Sequence, residues 1–244
     1  YCQWYLLFQM LCSYLFLLVH GKSNFKKLDA NEIKEIELGI MEYIHNICQK
    51  KGVNYSLAYG SLLGAVRHKG FIPWDDDIDL SMPREDYQRF INIFQKEKSK
   101  YKLLSLETDK NYFNNFVKIT DSTTKIIDTR NTKTYESGVF IDIFPMDRFD
   151  DPKVIDICYK LESFKLLSFS KHKNIVYKDS LLKDWIRTAF WLLLRPVSPR
   201  YFANKIEKEI QKYSRENGQY MAFIPSKLKE KEVFPSGTFD KTID

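Results

Sequence analysis

The chain has 244 residues, 44% hydrophobic and 15% aromatic, with 38 Lys and Arg against 32 Asp and Glu for a formal charge of +6. That is an ordinary globular composition, long enough for one sizeable core or a core with an appended subdomain. The basic excess is mild and forms no tail or Arg-rich stripe, which argues against a nucleic-acid partner and suits phosphorylated substrates or an anionic membrane surface.

Residues 1–20 carry no Asp, Glu, Lys or Arg, close to the length of roughly 20 residues that a spanning helix needs. Lys22, Lys26 and Lys27 follow, which by the positive-inside tendency leaves the rest of the chain cytoplasmic, attached at most to the inner face of the membrane. Segment 1–24 is expected to be an anchor or an extension ahead of the true start. A secretory signal is disfavoured, because no charged region precedes the apolar stretch and no small-residue cleavage site follows it. Cys2, Cys12, Cys48 and Cys158 are scattered without a Cys-x-x-Cys pair, so neither a zinc site nor a disulfide framework is indicated and a reducing compartment fits best.

Asp29 and Glu32 form a capping-box pair, and Leu28 with Ile33 can staple across it. Ile33, Ile36, Ile40, Ile44 and Ile47 then trace one apolar stripe at helical spacing, ended by Gly52 and Asn54. A short strand over 55–59 leads into Gly60-Ser61, then Arg67-His68-Lys69-Gly70, Pro73-Trp74 and the acids Asp75, Asp76, Asp77 and Asp79. The alternation Ile78, Leu80, Met82 predicts an extended segment over 77–82, which projects Asp77 and Asp79 together from one face. Crowded carboxylates repel one another away from bulk water, and a divalent cation reverses that sign. An EF-hand is excluded because no Gly follows Asp79 where that loop needs one. The helical aspartate-rich motif of prenyl synthases is disfavoured by Pro73 and by the period of two.

A second helix is predicted from near Pro83, with Tyr87, Phe90, Ile91 and Phe94 on its core face. Strands are predicted over 102–106, 113–119, 124–128 and 139–144, and helices over 153–171, 180–194 and 200–216. The broad apolar face of 181–194 is expected to pack in the core rather than dock on a membrane.

Asp142 lies in the strand Val139-Phe140-Ile141-Asp142-Ile143-Phe144, flanked by Ile on both sides and so turned away from the core. Two acids on one strand and a third on a neighbour make a cradle for Mg²⁺, with Mn²⁺ as the second choice. A Gly-Ser before a helix, an Asp-x-Asp strand and a third acid on a later strand resemble the nucleotidyltransferase fold, an α+β architecture with a mixed sheet flanked by helices. The segment from Tyr59 to Asp79, with Met82-Pro83-Arg84-Glu85-Asp86-Tyr87 and Phe140-Ile141-Asp142-Ile143-Phe144-Pro145-Met146-Asp147, more specifically resembles the LicD family of phosphotransferases, related to fukutin and fukutin-related protein.

That resemblance implies a catalytic core over 28–150 and a helical C-terminal portion over 151–244 that is expected to be incomplete. It implies transfer of a substituted phosphate, typically phosphocholine from CDP-choline or another CDP-alcohol, to a hydroxyl of a cell-surface glycan or its lipid-linked precursor. Lipopolysaccharide and teichoic acid are the acceptors in view. Asp77, Asp79 and Asp142 would be the metal ligands and catalytic acids, with Asp75 as a further ligand or acting through water; Asp76 has no assigned role. Gly60 and Ser61 would hold the donor's diphosphate, helped by Arg67, His68 and Lys69, and Trp74 could meet choline through cation-π attraction. An Asp-x-Asp glycosyltransferase using a nucleotide sugar and a non-catalytic membrane-attached scaffold are the alternatives.

Overall fold

The structure is a computed structural model that describes residues 26–75, 77–175, 180–226 and 232–240. The apolar N-terminal segment and Asp76 lie outside the described residues. The chain forms two compact units that interleave in sequence. The first comprises the chain to Leu104 with Val117–Thr129 and Glu136–Phe144, and the second Ser105–Phe116, Arg130–Tyr135 and the chain from Pro145.

In the first unit, helix α1 (Ala30–Lys51) starts at the predicted capping box. Asp29 accepts from the Asn31 and Glu32 amides, and Glu32 reaches back to the Asp29 amide. The helix ends at Gly52, whose φ of +62° lets its N–H return to the Cys48 carbonyl. The sheet order is β1 (Ser56–Leu57), β2 (Asp79–Pro83), β5 (Phe140–Phe149), β4 (Val117–Asp121), β3 (Tyr101–Leu104), a mixed sheet flanked by helices. Helix α2 (Tyr59–His68) lies between β1 and β2 in sequence, and α3 (Arg84–Phe94) follows β2 directly.

Alternation along the strands sorts the residues onto two faces. Leu80, Met82, Val117, Ile119, Ile141 and Ile143 meet Ile40 and Ile44 of α1 and Phe90 and Phe94 of α3 in a buried core. Each such side chain contributes about 1.5–3 kcal/mol on burial. Asp79, Ser81, Lys118, Thr120 and Asp142 alternate with them and occupy the other face. The buried Asp86 carboxylate joins α3 to the end of α1, accepting from Asn54 at 3.0 Å and from Arg89 at 2.8 Å, while Arg89 also donates to the Lys51 carbonyl.

In the second unit, α4 (Lys153–Phe169) and α6 (Pro199–Tyr213) share a core of Val154, Ile155, Cys158, Ile206 and Ile210 with Phe149. Two short strands, β6 (Tyr220–Ala222) and β7 (Phe234–Pro235), add to the later half of β5, so the C-terminal portion is helical with a small sheet. Arg200 donates to the carbonyls of Leu106, Asp109 and Tyr112, and the Asn115 amide donates to Ala203 and Glu207. These bonds fix residues 105–116 in this unit. Cys48 and Cys158 are buried free thiols whose pKa desolvation pushes up to about 12, which leaves them unreactive.

Several expectations are corrected. The predicted strand over 113–119 begins only at Val117, because Asn115 is engaged with α6 and Phe113 packs against Tyr135 and Phe169. Residues 124–128 form no strand: Asp121 closes a turn by accepting from the Thr123 amide and hydroxyl. Strand β5 continues past Pro145 to Phe149. Pro145 falls between the last pair with β4, at Ile143, and the first with β6, at Asp147, where the ladder asks no N–H of it.

Helix α5 (Leu181–Leu194) overturns the core-packing expectation, since it has no buried residue. Leu181, Trp185 and Leu193 are 81%, 75% and 71% exposed.

Candidate functional site

The site belongs to the first unit and starts where β1 gives way to α2. Ala58 is extended, Tyr59 takes a φ of +47°, and no side chain caps the helix start. The amides that open α2 therefore lack a side-chain acceptor at the N-cap, the arrangement that favours an anion.

Gly60 and Gly64 lie one turn apart on one side of α2, and the segment leading to the acids runs back along that side. A Cβ on Gly64 would lie 2.5 Å from the Gly70 carbonyl oxygen and 3.2 Å from the Ile72 nitrogen. One on Gly60 would lie 2.2 Å from an Asp75 carboxylate oxygen. The Ser61 hydroxyl accepts from the Asp79 amide at 2.8 Å and donates to the Asp77 carbonyl at 3.4 Å. The Gly-Ser pair thus clamps the acidic segment against α2 as well as opening the helix.

Substitution separates the two glycines. Gly64→Ala meets backbone that cannot swing aside and is expected to cost about 1–3 kcal/mol. Gly60→Ala meets the end of a side chain that can rotate away, so its stability loss is expected to be small while Asp75 is displaced. Urea midpoints of the two variants measure this, and equal losses would contradict it.

The acids lie on the polar face of the sheet. The Asp142 amide donates to the Ile78 carbonyl at 3.2 Å, which brings the third acid beside the Asp77–Asp79 segment. Asp79 is 7% exposed. Burial raises its pKa well above the ordinary carboxylate value, the charges of Asp77, Asp142 and Asp75 raise it further, and Lys118 opposes them. Burial also raises Asp142, against the lowering effect of Lys118.

Lys118 is the residue that sequence reasoning missed. It sits opposite Asp142 in the β4–β5 register, its Nζ 2.5 Å from Asp142 Oδ1 and 3.3 Å from the centre of the Phe140 ring. Alternation between Val117 and Ile119 could have placed it on the polar face, but its partner follows only from strand register.

A hard divalent cation takes oxygen ligands, and the crowded carboxylates of Asp75, Asp77, Asp79 and Asp142 provide them together with excess negative charge. The residues fit such an ion in kind and charge. Among the described residues no three acids, His or Cys already stand as a ligating group, and Asp142 is turned to Lys118.

The remaining predicted residues gather at the other end of α2. Arg67 and His68 close the helix and Lys69 follows at φ +58°, the three about 10–14 Å along the axis from Gly60. All three are exposed, and as basic groups they complement the negative end of the helix dipole. His68 meets Trp74 edge to face at 6.3 Å, and Trp74 is 66% exposed, so it does not cap the core. The predicted set divides into an acidic group with Gly60 and Ser61, and a basic and aromatic group with an open ring face.

Comparison with known proteins matches residues 52–205 to the LicD/FKTN/FKRP nucleotidyltransferase domain family. The lipopolysaccharide cholinephosphotransferase LicD of Haemophilus influenzae is 39% identical over 166 residues, covering 66% of this chain and 58% of that protein. The ribitol 5-phosphate transferase FKRP of human and of mouse is 50% identical over 44 residues, 18% of this chain and 9% of each of those proteins. The chain therefore spans little more than half of the bacterial relative and a small part of the mammalian ones.

Proposed function

Because the chain belongs to the LicD/FKTN/FKRP family, we propose that it transfers a substituted phosphate from a CDP-linked donor to a hydroxyl of a cell-surface glycan or its lipid-linked precursor. Phosphocholine from CDP-choline is the first choice of cargo, with lipopolysaccharide or teichoic acid as acceptor. The bacterial relative's name carries choline phosphate and lipopolysaccharide, whereas FKRP is named for ribitol 5-phosphate. The observation that carries the reading is the buried Asp79 among Asp75, Asp77 and Asp142, beside the start of α2.

Asp77, Asp79 and Asp142 would hold Mg²⁺, or Mn²⁺, with Asp75 as a further ligand or acting through water; the ion supplies charge neutralisation on the donor phosphates. The Gly60 and Ser61 amides face the diphosphate at the helix start. Asp142 takes the proton of the acceptor hydroxyl as the acceptor oxygen bonds to phosphorus. The bond from phosphorus to the CMP oxygen breaks in the same step, and CMP leaves with its electron pair. Lys118 holds Asp142 in place and favours its charged form. Arg67 and Lys69 supply positive charge to donor or acceptor phosphates, and His68 offers a ring N–H to them.

The 39% identity to a lipopolysaccharide cholinephosphotransferase favours transfer of a substituted phosphate over the alternative of an Asp-x-Asp glycosyltransferase. The test is CMP release from CDP-choline, CDP-ribitol and CDP-glycerol with an amphiphilic glycan acceptor, with and without EDTA. Turnover of a UDP-sugar without any CDP-donor turnover overturns the proposal.

Trp74 offers a donor-specific check. A cation-π contact with a quaternary ammonium is worth about 0.5–2 kcal/mol, so Trp74→Ala is expected to raise KM for CDP-choline about 2- to 30-fold. KM for CDP-glycerol should change little. An equal rise for both donors would show that the ring does not read choline.

A further inference from the structure

We propose that α5 docks in the plane of an anionic lipid bilayer through its apolar face. The carrying observation is a contiguous apolar face turned outward. On a helical projection Leu181, Leu182, Trp185, Ile186, Leu192 and Leu193 share one side, and all are exposed, from 49% to 81%. Asp184, Arg187, Trp191 and Leu194 lie on the opposite, less exposed side, so the helix packs through a mixed face and turns its wholly apolar one outward.

The protein holds it in this orientation. The Trp191 indole N–H donates to the Ser170 carbonyl at 2.9 Å, Thr188 Oγ1 lies 3.3 Å from His172 Nε2, and Phe190 stacks on Phe164. Just beyond the helix, Lys133 donates to the carbonyls of Arg195 and Val197. The outward face is contiguous, whereas isolated exposed apolar residues are the ordinary case.

Length and charge select the occupant. The 14 residues of α5 extend about 21 Å, too short for a hydrocarbon core of about 30 Å. No helix among the described residues is long and apolar enough to cross a membrane. Exposed Lys183 flanks the face and exposed Arg195 follows the C-terminal end of the helix; with Arg187 added and Asp184 subtracted, residues 181–195 carry a net charge of +2 (3 basic, 1 acidic). A short helix with an outward apolar face, a net positive charge and an exposed Trp matches an interfacial helix on anionic lipid. The inference stands independently of which group the site transfers.

The test is flotation of the full chain with vesicles of equimolar phosphatidylglycerol and phosphatidylcholine, against phosphatidylcholine alone. Binding is expected to the anionic vesicles and to fall with salt. Leu182→Glu with Leu193→Glu, both 71% exposed, should weaken it at least about tenfold without shifting the melting temperature. Lys183→Gln with Arg195→Gln should remove most of the preference for anionic lipid. Absence of wild-type flotation overturns the proposal. So does equal binding by the Glu variant, which would assign attachment to another segment, or a wild-type dimer that the Glu variant dissociates. CMP release in vesicle-free solution is expected to be unchanged in the Glu variant, so the docking face and the transfer reading succeed or fail separately.

Discussion

Asp79→Asn is expected to reduce CMP release from CDP-choline by on the order of 10³-fold while leaving the melting temperature in EDTA unchanged or higher. Burial and the charges of Asp77, Asp142 and Asp75 raise the pKa of Asp79 in the folded chain, so its ionised form opposes folding. The Asn side chain keeps the shape and removes that charge.

The sign of the pH effect follows from proton binding. Between the ordinary value of 3.8 and the raised folded value, the native state binds more protons than the unfolded state. Stability of the metal-free protein therefore falls as pH rises through that window, and above it the full penalty remains. Acidifying metal-free protein from neutral pH into the window should raise the wild-type melting temperature more than that of the variant, and Mg²⁺ should stabilise the wild type but not the variant. Retained activity, or a loss of several degrees in EDTA, would remove Asp79 from this role.

Lys118→Met carries the second large effect. Lys118 and Asp142 are 8% and 16% exposed in their side chains, so solvent screens the pair little. Removing one partner of a buried pair leaves the other charge uncompensated, a loss of about 3 kcal/mol. The urea midpoint in EDTA is expected to fall accordingly, and saturating Mg²⁺ to recover part of it by replacing the lost positive charge. Activity should fall as well, because Asp142 loses the neighbour that opposes the burial-driven rise of its pKa. A midpoint unchanged in EDTA would show that the pair contributes nothing to the fold.

Much of the first unit was legible in the sequence, since its signals are local. The capping box at Asp29 and Glu32, the Ile stripe of α1 and the alternation through Asp79 each declare a period or a turn within a few residues. Asp142 was legible because an acid between two Ile residues has only one comfortable face. Lys118 was not, since its meaning depends on which strand lies beside β4 and in what register.

Helix α5 marks another limit. Periodicity reveals that a helix has an apolar face but not which way the face points, and bonds from Ser170, His172 and Lys133 decide that. The strand expected over 113–119 failed for a related reason. Asn115 is claimed by partners far along the chain.

That distance sets a timetable for synthesis. Asn115 pairs with Ala203 and Glu207, 88 and 92 residues later. At about 5–20 residues per second, its amide leaves the ribosome roughly 5–20 s before those partners do. The segment 105–116 must therefore wait in a nascent chain whose first unit already has its last strand residues at Phe144, so Asp77, Asp79 and Asp142 can assemble before the second unit closes.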